Sequence, residues 1–128
     1  MVEGNLDRIS AVTGFHIVES FNQQEDFEKL ETTVNKALGI LIEDGLFAYV
    51  VWLRSRGEKE KKYTKVIEEK SLELLKDKNI SLTDKNDLMF AILDDILQYI
   101  QKTLLARRLL ERMLIYARYR AKSLQKGD

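Results

Sequence analysis

The chain has 128 residues, 45% of them hydrophobic and 33% charged, with no cysteine, no proline and a formal net charge of zero. That size and balance predict one globular domain over residues 1–128, and the missing thiols exclude disulfides, thiolate metal sites and cysteine nucleophiles. No apolar run approaches the roughly 18 residues of a membrane span, so no membrane association is expected.

Zero net charge conceals two charged ends. From Met1 to Glu31, seven acids face Arg8 and Lys29, a net of −5; from Lys102 to Asp128, eight bases face Glu111 and Asp128, a net of +6. Such polarity suits head-to-tail attraction between copies, or a basic surface for a polyanion.

In chain order, Leu6, Ile9, Val12, Ile17 and Phe21 recur at roughly helical spacing and predict a helix over about Glu3–Phe21, weakened by Thr13 and Gly14. Its opening residues, MVEGNLDR, are acidic and lead into no apolar signal core, so no secretory leader is expected. Asn22-Gln23-Gln24 reads as a connection. A second helix is predicted over Glu25–Glu43, with acids in its first turn where the helix dipole favours them.

Asp44-Gly45 then interrupts the most apolar stretch, Val34–Gly57. Glycine fits the left-handed turn that ends a helix, and Asp44 is expected to cap the next one. That helix, Leu46–Arg56, has almost no polar face and is expected at the buried centre. From Glu58 to Lys78 a narrow stripe of Tyr63, Val66, Ile67, Leu74 and Leu75 among opposite charges predicts an amphipathic helix. Ile80–Thr83 reads as a loop, and Thr83 with Asp84 and Asp87 as a helix start. Leu88, Ile92, Ile96, Ile100 and Leu104 repeat every fourth residue, and the apolar pattern continues to Leu124. Two helices or one bent helix are expected, changing between Tyr99 and Arg108. No strand-like alternation competes, so the expectation is an all-α, compact bundle of five or six helices.

No catalytic constellation is legible. His16 is the sole histidine, and the neighbouring acids Glu68-Glu69 and Asp94-Asp95 point about 100° apart on a helix and do not converge. No phosphate loop or nucleophile elbow is present. The expectation is therefore no enzyme, no metal and no cofactor. A ribonuclease alternative remains: one all-α class, named for higher eukaryote and prokaryote nucleotide binding, pairs an arginine with a histidine a few positions on, and here Arg8 and His16 are eight apart. The positive signal is basic. Arg107, Arg108, Arg112, Arg118, Arg120 and Lys122 line the last helix beside Tyr116 and Tyr119, and a second group is Arg54, Arg56, Lys59, Lys61, Lys62 and Lys65. Arginine forks suit phosphate oxygens, and an exposed tyrosine stacks on a base. The apolar faces equally permit a helical adaptor.

Two segments, DGLFAYVVWLRSRGEKEKKY (Asp44–Tyr63) and YIQKTLLARRLLERMLIYARYRA (Tyr99–Ala121), together about a third of the chain, resemble the small all-helical subunit of the Cmr-type (type III-B) CRISPR RNA-targeting complex. Tyr99, Thr103, Ala106, Tyr116 and Ala117 fall where that family favours such residues. The chain departs from it in having Gly39, not proline, before the glycine-leucine step, and Arg112 and Ile115 where a tryptophan and an arginine are usual. The resemblance implies a non-catalytic, cytoplasmic subunit acting in antiviral defence. Such subunits stack head to tail beside the crRNA-binding backbone and meet the backbone and large subunits. Their basic face lies along the crRNA and target RNA. Carried onto this chain, the RNA-contacting residues are Arg107, Arg108, Arg112, Arg118 and Lys122.

Overall fold

A computed structural model describes residues 2–125, with side chains from Asn5 onward. Glu3, Lys126 and Asp128 of the charge count above have side chains outside the described residues. The elements are α1 (Val2–Glu19), α2 (Gln24–Asp44), α3 (Leu46–Ser55), α4 (Glu58–Lys76), the short turn α5 (Leu88–Phe90), a π-helical segment (Ala91–Ile96) and α6 (Ile100–Ser123). No strand occurs among the described residues, and the protein is an all-α bundle. No described helix is long and apolar enough to cross a membrane.

The centre of the bundle is α6. Its buried stripe, Ala106, Leu109, Leu110, Met113, Leu114, Ala117 and Ala121, packs against α1 on one flank and α2 on the other. Paired contacts set the directions: Asp7 meets Arg112 and Phe15 meets Tyr116, so α1 runs parallel to α6. Arg107 reaches Ile42 and Arg118 reaches Asn35, so α2 runs antiparallel. Gly14 lets α1 approach closely. A Cβ there would overlap the Met113 carbonyl oxygen and lie 3.1 Å from the Ala117 nitrogen. The glycine that counted against α1 in the sequence is thus a packing requirement, and the helix runs through it unbroken.

Two expectations about α3 are corrected. Leu46, Tyr49, Val50 and Leu53 are buried, but Phe47 and Val51 are 46% and 42% exposed, so this helix lies at the side of the bundle with one apolar flank in solvent. Asp44 does not cap α3; it closes α2, and the junction is made by Gly45 at φ 96°, ψ −176°, which glycine alone adopts readily. Against α3, α4 runs antiparallel, pinned by a buried hydrogen bond of 2.7 Å between Tyr49 and Ser71. Ser71 donates its own proton to the Ile67 carbonyl, so Tyr49 is the donor. Burial pushes the Tyr49 phenol well above its ordinary range and keeps it protonated for that role.

A second joint ties α2 to α4. Asp26, in the first turn of α2 and 3% exposed, accepts hydrogen bonds of 2.8 Å from Lys62 Nζ and Tyr63 Oη. Burial alone would raise its carboxyl pKa, but these two donors outweigh that and hold it below the usual range. Burial and the same carboxylate push Tyr63 up to about 12.

The segment after α4 differs from the sequence reading. Thr83 does not start a helix: its hydroxyl donates to Asp95 at 2.6 Å and accepts from the Lys85 backbone at 3.1 Å. Asp87 caps the next turn instead, accepting from the Phe90 nitrogen. The following helix is wound as π, with the Leu97 nitrogen bonded to the Ile92 carbonyl. Its break falls at the Tyr99 edge of the expected window, where extended Tyr99 separates the π segment from α6. The break changes which stripe faces inward. Leu88, Ile92 and Ile96 are buried, whereas Ile100 and Leu104, on the same four-residue repeat, are 78% and 62% exposed.

Candidate nucleic-acid interface

At about 100° per residue, Arg108, Arg112, Ile115, Tyr119 and Lys122 lie on the side of α6 opposite its buried stripe. They form an outward strip framed by α1 and α2. Each of the five basic residues inferred from the sequence is fixed differently.

Arg107 lies on the α2 flank. It bonds Glu111 Oε2 at 3.0 Å and donates to the Ile42 carbonyl, one of the last acceptors of α2. A cation satisfying carbonyls at a helix C-terminus stabilises that end, so Arg107 has a structural role. Arg108 is exposed beside Asp7, Leu6, Leu105 and Arg112, in a shallow cleft between α1 and α6. Arg112 pairs with Asp7 at 3.3 Å, and both side chains are 43% exposed; such a pair contributes about 0–1 kcal/mol. It is weak enough to exchange its carboxylate for a phosphate. Arg118 holds only the neutral Asn35 amide, at 3.1 Å, and its guanidinium lies 5.2 Å from the Tyr119 ring centroid. Lys122, one turn on, is exposed and meets no partner among the described residues.

Part of the polarity of the chain is used within the molecule. Because α6 packs between α1 and α2, basic and acidic segments lie side by side: Arg112 meets Asp7, the Tyr116 hydroxyl donates to Asp7 at 3.5 Å, and Gln125 donates to Glu31 at 2.6 Å. Half of the second basic group is also structural. Arg54 bonds Glu68 and Asp87, Arg56 stacks 4.8 Å over Trp52, and Lys62 serves Asp26. The hydrogen bond from the Phe90 backbone, helped by Arg54, holds Asp87 below the usual carboxylate range. Asp95 is held low in the same way, first by Thr83 and then by Lys85.

The chain matches no family model, no curated protein and no solved structure.

The helix that carries Arg8 and His16 is continuous, which sets these two exposed residues about 12 Å apart along its axis. Among the described residues no three His, Cys, Asp or Glu side chains gather as a cation site.

One surface escaped the sequence reading. Of eleven large hydrophobic side chains exposed among the described residues, nine lie between Ile42 and Leu104: Ile42, Phe47, Val51, Phe90, Leu93, Leu97, Tyr99, Ile100 and Leu104. They sit where the end of α2, α3, the π segment and the start of α6 meet. Arg54–Asp87, Arg107–Ile42 and Thr103–Ile96 bonds join those elements. The available signal was the apolar stripe running past Tyr99 into a helix whose core stripe lies elsewhere.

Proposed function

We propose that this protein is a non-catalytic small subunit of a type III-B CRISPR (Cmr) ribonucleoprotein. In this reading it stacks beside the crRNA-binding backbone and lies along the guide–target RNA through the outward strip of α6. The observation that carries the reading is a pair of surfaces that the bundle does not use for its own stability. One is the apolar end from Ile42 to Leu104; soluble monomers rarely leave so many large hydrophobic groups together in water. The other is the outward strip bearing Arg108, Arg112 and Lys122, with Arg118 on its α2 flank; Arg112 holds only a half-exposed carboxylate and Arg118 a neutral amide.

In this reading the apolar end takes protein neighbours, either backbone and large subunits or a further copy, and stacking is driven by apolar burial rather than by the opposed end charges. The strip takes RNA. Phosphate contact suits a groove that must hold any guide and its target, because backbone contacts position a duplex without reading its sequence. The resemblance of Asp44–Tyr63 and Tyr99–Ala121 to that small subunit supports the same assignment. Cytoplasmic location follows from it. Arg107 belongs to the site less than its neighbours, being committed to α2.

Affinity purification of the tagged chain from its native cell tests the proposal. A particle containing short guide RNA and larger protein subunits is expected. Recovery with protein partners and no RNA would point to the adaptor reading. Purified chain that degrades RNA, and loses that activity on His16→Ala, would establish the ribonuclease reading.

A further inference from the structure

The outer end of α6 carries more than positive charge. Tyr119 is 58% exposed, and the Arg118 guanidinium lies 5.2 Å from its ring centroid, within the range of a cation–π contact. This leaves an aromatic surface open to solvent. On the helix surface Ile115 stands one turn before Tyr119 and Lys122 one turn after, so an apolar edge, an open ring and two cations share one patch. Among the described residues Arg118 bonds the Asn35 side-chain oxygen, a neutral acceptor. Glu31, the carboxylate bonded near the end of α6, is engaged by the Gln125 amide at 2.6 Å. Glu31 keeps its charge there, but neither Arg118 nor Lys122 forms an ion pair with a carboxylate among the described residues.

We infer that this patch is a binding site for a single-stranded nucleotide, in which Tyr119 stacks on one unpaired base while Arg118 and Lys122 hold the flanking phosphates. Bases inside an A-form helix are stacked on both faces, and neither its deep groove nor its shallow one offers a base face to a flat ring. A protruding tyrosine therefore adds nothing to duplex binding but adds contact energy to a splayed or unpaired base, whatever its identity. The guanidinium beside the ring supports this use. It lies over one face of Tyr119 and leaves the other for the base, with positive charge close by for the phosphate of the same nucleotide. Recognition would be of chain form, single against double, and not of sequence. The inference rests on the reading of α6 as an RNA-facing helix and narrows it to one end of that helix.

The test is fluorescence anisotropy with the purified full chain, a short oligouridylate, and a blunt RNA duplex of the same length, over a series of salt concentrations. The single strand is expected to bind more tightly than the duplex. Tyr119→Leu should weaken single-strand binding by about 5- to 150-fold, the range seen when one stacking side chain is removed, with duplex binding and the salt slope unchanged. Tyr119→Phe should retain the affinity. Arg118→Ala and Lys122→Ala should each flatten the single-strand salt slope by about 0.7. Single-strand binding by Tyr119→Leu equal to wild type, with both cation variants still flattening the slope, would remove the stacking site and leave the basic strip standing. Binding of neither RNA by the wild-type chain would overturn the strip and the stacking site together.

Discussion

Two glycines in helix interiors should respond to the same substitution with opposite sign. Replacing glycine by alanine in an exposed helix interior stabilises by about 0.8–1 kcal/mol. Gly39 is exposed in α2, and a Cβ there meets nothing within 4 Å, so Gly39→Ala should gain nearly all of that. At Gly14 the propensity gain is the same, but the new Cβ would overlap the Met113 carbonyl oxygen and crowd the Ala117 nitrogen. Neither backbone atom is the flexible end of a side chain, so α1 must move off α6. Forced overpacking of this kind costs about 1–3 kcal/mol, and the shift also loosens the contacts of Asp7 and Phe15 with Arg112 and Tyr116. A net loss of about 1 kcal/mol or more is expected for Gly14→Ala, which places the two variants about 2 kcal/mol apart. Urea unfolding followed by circular dichroism reads this directly. At about 4 °C per kcal/mol for a domain of this size, thermal melts should separate by roughly 8 °C. Equal or greater stability of Gly14→Ala relative to wild type would refute the close α1–α6 approach on which the framing of the basic strip depends.

The Asp26 joint predicts a pH dependence. The folded carboxyl lies below its ordinary value of 3.8, so its contribution is full above that value and is lost as pH falls through the lower folded value; Asp26→Asn should cost about 1–3 kcal/mol near neutrality, and the difference from wild type should vanish in acid urea titrations. Ser71→Ala leaves the buried Tyr49 hydroxyl without an acceptor and should cost about 1–3 kcal/mol, whereas Tyr49→Phe leaves Ser71 still bonded to Ile67 and should cost about 1 kcal/mol; the double variant should be no worse than Tyr49→Phe in the same unfolding assay. Ile100→Asp with Leu104→Glu should leave unfolding free energy within about 0.5 kcal/mol, since both side chains are already in solvent, yet should abolish co-purification of partner subunits; unchanged recovery would show that the apolar end is not a docking surface.

The helices themselves were legible because periodicity reports which face is buried, and α2 and α4 follow their stripes within a residue or two of the predicted bounds. What periodicity does not report is the third layer. An apolar-all-round helix reads as central, but α3 lies at the side with Phe47 and Val51 outward, because local pattern does not report which apolar flank the other helices cover. The helix start was misplaced for a similar reason. Thr83 and Asp87 are both good caps, but Thr83 accepts from the Lys85 nitrogen in a turn and donates to Asp95, while Asp87 accepts from the Phe90 nitrogen and starts the helix. Within the basic helix, sequence named the residues without their separate duties. Whether an arginine caps a neighbouring helix, as Arg107 does, or meets a neutral amide, as Arg118 does, depends on chain direction in three dimensions, which no local pattern carries.

The claim that this molecule holds RNA without transforming it is tested most directly by the affinity of the assembled particle for target RNA as a function of salt. The comparison is between wild type and a chain carrying Arg108→Ala, Arg112→Ala, Arg118→Ala and Lys122→Ala. The account predicts weaker binding and a shallower dependence of log affinity on log salt in the variant, by up to about 0.7–0.9 per phosphate contact removed, with the RNA recovered at full length from both isolated chains. An unchanged slope, or RNA shortened by the isolated wild-type chain, would contradict it.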